Sequence, residues 1–268
     1  MSVGKVLTAL IIFFSLAAYA QTPSGPGPAV RAELIPTGKL RVGLILSNAV
    51  LVTKDPQSGE LRGVTIDLGR ELAARLGVPF EPVGYANPAK LAESFGSNAW
   101  DIAFIAIDPA RATVVDFSHP YMEVDNSYLV PGGSRIKSVA DADQPGVRIA
   151  VPEKSVPDLY LSRTLKAAQL VRIPGGLDAA LETLKAGKAD AYAENAHMLT
   201  RFAAQLPGWV VLEGRYTVVQ HGIAMPRGRP AALAYIKDFV EQAKAAGVIR
   251  QAIERAGLHR THVPPLIQ

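Results

Sequence analysis

The chain of 268 residues contains no cysteine, and this absence excludes several kinds of chemistry at once. Without a thiol the protein forms no disulfide, offers no thiolate nucleophile and ligates no metal through sulfur. The lipidated cysteine that tethers many exported proteins to a membrane is missing as well. The composition therefore favours a freely soluble protein.

A strong charge of either sign is also missing, since 28 lysines and arginines stand against 24 acidic residues. The small basic excess is spread along the chain and forms no stripe, so we expect no nucleic-acid partner. The motifs G-x-S-x-G, Walker A and H-E-x-x-H are absent too. His259 and His262 have loose metal-like spacing, but we interpret them as solvated tail residues. We predict no metal and no cofactor.

Only the first residues form a long apolar run. Lys5 precedes the apolar segment Val6–Leu16, and Ala18–Ala20 fits the small-x-small cleavage rule. The run is short for a membrane span, which needs about 20 residues. We predict a cleavable signal peptide over residues 1–20, with an uncleaved anchor as the alternative, and a Pro/Gly/Ser-containing linker over residues 21–37.

Strands that alternate with helices predict a mainly parallel α/β fold. Each half of the chain opens in the same way. Leu40–Leu46 and Val147–Val151 are predicted strands, and the helices Thr65–Leu76 and Ser155–Leu165 follow them. The halves are similar in architecture and not in sequence, so we predict two lobes of the same general design.

The segment from Trp100 to Tyr121 reads WDIAFIAIDPARATVVDFSHPY and carries the most information. Ile102–Ile107 is predicted to be a buried strand, because it is apolar, rich in β-branched residues and too short for a helix. Asp108 and Pro109 are predicted to begin a helix, and Arg111 follows. Helix N–H groups beside a guanidinium favour a carboxylate. A surface arginine is the alternative interpretation of Arg111.

The same segment resembles the type II periplasmic solute-binding proteins of amino-acid ABC importers, solute-binding protein family 3. Members commonly show an aspartate, an apolar strand, a Thr-Pro-Glu-Arg-like turn and then FS-x-PY. Here the turn is Asp108–Arg111 and the last motif is Phe117–Tyr121. The likeness extends from about Gly38 to Leu258.

The resemblance implies a two-lobed fold in which two crossing segments form a hinge. It places lobe 1 at residues 38–128 and 223–258, lobe 2 at residues 129–222 and a tail at 259–268. It also implies a monomeric periplasmic protein without enzymatic activity. Such a protein carries a small carboxylate-bearing solute, an amino acid or a related organic acid, to an ABC permease in the inner membrane.

The resemblance further assigns ligand contacts. Arg111 and the backbone N–H of Ala106 would hold the carboxylate from lobe 1, where Asp108 is a contact, a helix cap or a partner of Arg111. The turn at Ser155 and Val156 would close onto the carboxylate from lobe 2. A plain helix N-cap is the other interpretation of Ser155.

The chain departs from the family pattern where the ligand amine is expected. Amino-acid binders usually place an aspartate where this chain has Asn195, with Glu194 beside it. Because an ammonium buried without a carboxylate is costly, either Glu194 or Asp108 replaces that aspartate or the ligand has no α-ammonium. Asn48 and Asn87 stand where an aromatic clamp is usual, either as polar pocket residues or as turn residues.

A rival function exists on the same fold. Asp143–Val147 and Gly187–Asp190 are similar to segments of cyclohexadienyl dehydratases, which convert prephenate or arogenate through a general acid. The acidic residue of those enzymes falls on Met198 here, which has no proton to donate. The sequence therefore favours a binding protein over a lyase.

Overall fold

The computed structural model describes residues 25–174 and 177–267, and of Leu177 it describes the backbone alone. The signal peptide predicted for residues 1–20 lies outside the described residues, as do residues 21–24 of the predicted linker.

Eleven of the thirteen described strands form one sheet with the order β4-β1-β5-β12-β7-β10-β8-β9, with β6 paired to β12 and both β11 and β13 paired to β7. The strands are β1 (Leu40–Ile45), β2 (Thr53–Lys54), β3 (Leu61–Arg62), β4 (Phe80–Tyr85), β5 (Ile102–Ala106), β6 (Val115–Phe117), β7 (Met122–Pro131), β8 (Arg148–Pro152), β9 (Gln169–Ile173), β10 (Ala191–Asn195), β11 (Trp209–Val211), β12 (Thr217–Pro226) and β13 (Thr261–His262).

Eight α-helices cover the sheet within the described residues. They are α1 (Pro28–Leu34), α2 (Val64–Leu76), α3 (Pro88–Glu93), α4 (Val156–Thr164), α5 (Leu177–Lys185), α6 (Ala196–Ala203), α7 (Pro230–Ala245) and α8 (Val248–Arg255). None of them is long and apolar enough to cross a membrane.

Two parallel regions of the sheet are joined by two long antiparallel strands. In the first region β1 pairs in parallel with β4 and β5, and in the second β8 pairs in parallel with β9 and β10. The strands β7 and β12 are ten residues each and run side by side between the two regions. The predicted two-lobed α/β fold with two crossing segments is confirmed.

Each half contains an equivalent ion pair, a similarity that the sequence alone did not reveal. Arg41 at the start of β1 donates its backbone N–H and its guanidinium to Asp101, which precedes β5. Arg148 at the start of β8 makes the same three bonds to Asp190, which precedes β10. Each pair fixes the register of two parallel neighbours at their N-terminal ends.

Residues 28–34 differ from the linker predicted for residues 21–37, because they form α1. Pro28 stands at the first helical position, where its fixed φ suits a helix. Val30 packs against the core and Leu34 is fully buried. The apolar i, i+4 pair outweighs the proline- and glycine-rich composition of the preceding residues.

The segment after β5 also differs from the prediction. Asp108 and Pro109 begin no α-helix: residues 109–110 form a turn, and Arg111–Thr113 is a single turn of 3₁₀ helix before β6 begins. Val114, Val115 and Phe117 are β-branched or aromatic residues that favour the short strand over a longer helix. The carboxylate of Asp108 still accepts a hydrogen bond from the Ala110 N–H, as a capping residue would.

Candidate functional site

A pocket lies where the strand ends of both halves meet above β7 and β12. Its walls come from the ends of β1, β5, β8 and β10 and from the starts of α3, α4 and α6, an edge at which α/β proteins usually bind ligands. The cavity measures about 70 Å³. With roughly 10–15 Å³ for each water-sized group, it has room for a small solute.

Arg111 is the cation of this pocket, and it is 7% exposed. Its Nη1 donates to the carbonyl of Ala106 (2.9 Å) and its Nη2 to the carbonyl of Lys154 (3.0 Å). Burial lowers the pKa of Arg111 to about 10, and the Asp108 charge opposes that shift, so the guanidinium stays charged at neutral pH. Among the described residues no carboxylate forms a salt bridge with it.

A buried guanidinium without a counter-ion is an unusual arrangement, because a desolvated charge is costly unless an opposite charge compensates it. Two carbonyl oxygens hold the side chain in place and leave other N–H groups of its five for a ligand. The arrangement is therefore suited to binding an anion.

The backbone of Ala106 is directed toward the same side. The Ile107 N–H donates to Gln220 on β12, and peptide groups alternate along a strand. The N–H and C=O of Ala106 consequently face away from β12, on the side of Arg111. This orientation suits the predicted carboxylate contact, which stays a prediction.

Asp108 does not line the pocket, in contrast to its place among the predicted contacts. It is 2% exposed and accepts a 2.8 Å hydrogen bond from the guanidinium of Arg163 on α4. The tight turn after β5 directs its side chain to the neighbouring groove. Asp108 therefore joins the two halves of the protein.

Four more predicted contacts line the pocket, and the side-chain oxygens of three of them cap helices. Asn87 caps α3 by accepting from the Lys90 N–H, Ser155 caps α4, and Asn195 caps α6. Val156, the first residue of α4, lies beside Ser155. The structure thus shows Ser155 as a helix N-cap that borders the pocket, and its contact with a ligand carboxylate stays a prediction.

Asn48 lines the pocket and also makes a turn. Its Oδ1 accepts from the Val50 N–H (3.1 Å), a pattern typical of an Asx turn. Its side-chain N–H₂ group is what remains for a ligand.

Among the described residues, Glu194 is the single acidic one that lines this pocket. Its Oε1 accepts from the backbone N–H (2.8 Å) and the side-chain Nδ2 (2.9 Å) of Asn195. Burial raises the pKa of the Glu194 carboxyl to about 7, and the bonds from Asn195 oppose that shift. A cation beside Glu194 would stabilise its charged form.

Two polar residues on the floor of the pocket were not among the predicted contacts. Asn126 on β7 is 2% exposed, and His221 on β12 is 5% exposed. The Oδ1 of Asn126 and the Nδ1 of His221 have no hydrogen-bond partner among the described residues. Burial, with a smaller effect of Arg111, lowers the pKa of His221 to about 3, so this imidazole is neutral.

Most of the remaining lining is apolar, with Ser47 as a further polar residue. These apolar residues come from both halves: Ile45, Leu51, Val219, Tyr192, Met198 and Phe202. Met198 occupies a wall position and offers no proton, as the sequence indicated. Within the described part of the chain no group of three or more histidine, aspartate or glutamate side chains could hold a metal ion.

The pocket is closed by polar contacts between the halves. Besides Asp108–Arg163 and Arg111–Lys154, the Asn87 Nδ2 donates to the carbonyl of Pro174 (3.2 Å). These contacts tie the two halves together beside the pocket.

Comparison with known proteins gives consistent results. The family model described as bacterial extracellular solute-binding proteins, family 3, matches residues 40–258. The ABC transporter glutamine-binding protein GlnH of Bacillus subtilis is 24% identical over 214 residues, which are 78% of this chain and 77% of that protein.

Solved structures show the same fold. A binding component of an ABC transporter from Wolinella succinogenes, complexed with lysine, is 28% identical and has a TM-score of 0.71, covering 82% of this chain and 95% of its own. The ancestral amino acid-binding protein AncCDT-1, a precursor of cyclohexadienyl dehydratase, is 27% identical and has a TM-score of 0.70, covering 84% of this chain and 97% of its own.

Proposed function

The chain belongs to the bacterial extracellular solute-binding proteins of family 3, and from that membership we propose that it captures a free amino acid and delivers it to a cognate ABC permease. The observation that carries the proposal is the pairing of Arg111 with Glu194 in one closed pocket between the halves. The buried guanidinium, which has no carboxylate partner, receives the ligand carboxylate, and Glu194 receives the ammonium.

The named relatives support the ligand class and differ in the individual ligand. One relative is named for glutamine and one structure holds lysine. Asn195 stands at the position of the usual aspartate, and Glu194 supplies the missing negative charge from the preceding residue. Ser155, Val156 and Ala106 assist at the carboxylate, while Asn48 and Asn87 complete the polar wall.

Several further features belong to the proposal. The leader of residues 1–20 directs the protein to the periplasm, where it acts as a monomer. Lobe 1 comprises residues 38–128 and 223–258, and lobe 2 comprises residues 129–222. The lengths and positions of β7 and β12, which contain both crossings, support this division.

The test is titration calorimetry on the protein beginning at Gln21, with the twenty amino acids and matched acids that lack the amine. At least one amino acid should bind, and Arg111→Met should weaken that binding tenfold or more, because a charge-assisted bond contributes about 1.5–3 kcal/mol. Arg227→Met is the matched control, since Arg227 pairs with Asp116 away from the pocket. Equal affinity of wild type and Arg111→Met would refute the assignment.

A dehydratase is the second candidate, favoured by one observation. Glu194 keeps its proton to about pH 7 and therefore could act as a general acid. Incubation with prephenate and chromatographic detection of the product separates the two functions. We propose a binding protein without catalytic activity, so no product should form at stoichiometric enzyme concentration.

A further inference from the structure

The floor of the pocket contains two polar groups that the protein itself does not satisfy. Among the described residues five buried side-chain polar atoms lack a hydrogen-bond partner, and the Asn126 Oδ1 and the His221 Nδ1 are the two that line this pocket. Leaving such an atom unpaired is unfavourable, because it has lost its hydrogen bonds to water and gained none in return. A ligand that bonds to these atoms would recover that cost.

The two groups lie at opposite ends of the floor. Asn126 is opposite Thr217 in the β7–β12 ladder, and His221 is opposite Met122. Four strand positions separate them, which corresponds to about 13 Å along the strands. Val219 lies midway and faces the pocket as well. The floor therefore has a polar group at each end and an apolar centre.

Each polar end lies beside one of the charged residues. His221 is the ladder partner of Ala106, whose carbonyl accepts from Arg111. Asn126 is the ladder partner of Asn195, whose amide bonds to Glu194. The Asn126 Nδ2 is directed to the Tyr216 hydroxyl (3.4 Å), while its Oδ1 is buried and has no partner among the described residues.

The charges of the pocket balance a zwitterion. Its lining contains one cation, Arg111, and one acid, Glu194, while His221 is neutral. An amino acid with an uncharged side chain offers one carboxylate and one ammonium, so both pairs are complete. A basic side chain would bring a second cation into the closed pocket without a carboxylate to meet it, and a buried unpaired charge is strongly unfavourable.

We infer that Asn126 and His221 are ligand contacts, and that they select an amino acid whose side chain is polar but uncharged, an amide or a hydroxyl. This inference rests on the proposed function and adds the residues that determine specificity. The charge balance excludes arginine and lysine, and the two unsatisfied atoms favour a hydrogen-bonding side chain over an aliphatic one. Both residues belong to the crossing strands, so the strands that join the halves would also contact the ligand and determine specificity.

The first test is the affinity ranking of the wild-type protein. Glutamine, asparagine, serine and threonine are compared by calorimetry with arginine, lysine, leucine and valine. At least one of the first four should bind tenfold or more tightly than arginine and lysine. Tightest binding of a basic or aliphatic amino acid overturns the inference and leaves the proposed function standing. Binding of no amino acid refutes the proposed function.

The second test uses Asn126→Leu and His221→Leu, with Gln220→Leu as control. Gln220 is adjacent to His221 on β12, is exposed and bonds to Glu123 outside the pocket. Each test variant should still show a cooperative melting transition without ligand and should bind the preferred solute at least tenfold more weakly. The control should retain wild-type affinity. Unchanged affinity in both test variants would overturn the inference.

Discussion

At the scale of single residues, Glu194 shows how burial changes the chemistry of an ordinary side chain. It is the last but one residue of β10, so its carboxylate is held against the start of α6 by two bonds from Asn195. The surrounding walls remove it from water and raise its pKa to about 7, against the usual value of 4.5. The side chain is thus close to the point at which small changes in its surroundings change its charge.

We predict that Glu194→Gln changes how the stability of the ligand-free protein depends on pH. Because the pKa is raised in the folded state, the neutral carboxyl contributes stability that is fully present below about pH 4.5 and is lost as pH rises through about 7. Across that interval the wild type should lose up to roughly 3 kcal/mol relative to the variant, which has no titrating group there. Urea unfolding at four values between pH 4.5 and 7.5 measures the difference. A difference that is constant with pH would contradict the prediction.

At the scale of secondary-structure elements, the pocket is built from capped helix starts. Asn87, Ser155 and Asn195 each follow or end a strand and accept a hydrogen bond from the backbone of the helix that follows. Their side chains therefore determine where three helices begin and so where the pocket wall lies. Only the Asn87 amide also reaches the other half of the protein, through the carbonyl of Pro174.

We predict that the two roles of Asn87 are separable. Asn87→Ala removes both the cap and the contact with Pro174, and it should lower the free energy of unfolding by about 1 kcal/mol. Asn87→Ser keeps an oxygen for the Lys90 N–H but is too short to donate to Pro174. The serine variant should therefore keep most of the stability. Both variants should bind the ligand more weakly than the wild type, because both lose the contact with Pro174. Chemical unfolding and calorimetry on both variants give the two quantities, and equal stability of both variants would refute the capping role.

The same elements show what a sequence reveals and what it does not. The strands at residues 40 and 147, the helix that ends at Gly77 and the cap at Ser155 follow from local patterns, and the structure confirms them. The place of Asp108 does not follow, because its partner Arg163 is 55 residues away and is brought close only by the packing of the halves. Asn126 and His221 were not among the predicted contacts, because other polar residues stand beside them in β7 and β12 and the sequence does not tell which of these face the pocket. In each half of the sequence an arginine and an aspartate each precede an apolar residue, as in Arg41-Val42 with Asp101-Ile102 and Arg148-Ile149 with Asp190-Ala191. Only the fold shows that each arginine pairs with the aspartate of its own half.

At the scale of the whole molecule, the structure is closed, and the Asp108–Arg163 pair is part of that closure. Asp108 follows β5 in the first half, and Arg163 lies on α4 in the second. The Asp108 side chain is 1% exposed, so opening the cleft would exchange this ion pair for hydration of both groups. A ligand that binds the closed form has an apparent affinity that depends on how much closed form is present.

We predict that Arg163→Gln weakens ligand binding by two- to tenfold without a change in any pocket residue. The variant loses the ion pair in the closed form, so a smaller fraction of the free protein is ready to hold the solute. Arg172→Gln is the matched control, because Arg172 also pairs with a buried aspartate, Asp158, but within the second half. Calorimetry gives the affinities, and small-angle scattering of the free proteins should show Arg163→Gln to be the more open. Equal effects of both substitutions would contradict a role in closure.

The C-terminal residues 259–267 add a contact at the crossing strands that the sequence did not reveal. His259 and His262 are exposed, as expected, but Thr261 and His262 form β13 against Glu123 and Val124 of β7. The Asp125 N–H donates to the carbonyl of Arg260, and its carboxylate accepts from Arg260 and from Arg215. The tail is thereby joined to the strand that carries the chain between the halves.

We predict that protonation of Asp125 at low pH weakens the contacts that hold the crossing strands. Burial alone would raise its pKa, but the hydrogen bonds and charges of Arg215 and Arg260 outweigh burial and lower the pKa below its usual range. A lowered pKa means that the ionised carboxylate contributes stability above the unfolded-state pKa, and that this contribution is lost as pH falls through the folded-state value. Asp125→Asn should therefore be less stable than the wild type at pH 7, and the difference should shrink as pH falls below about 4. Asp238→Asn, an exposed change on α7, is the control and should stay within about 0.5 kcal/mol of the wild type. Urea unfolding of the wild type and both variants at pH 7, 5, 4 and 3 measures the differences in free energy of unfolding. A difference between Asp125→Asn and the wild type that is the same at every pH would indicate a purely steric role for Asp125 and contradict the prediction.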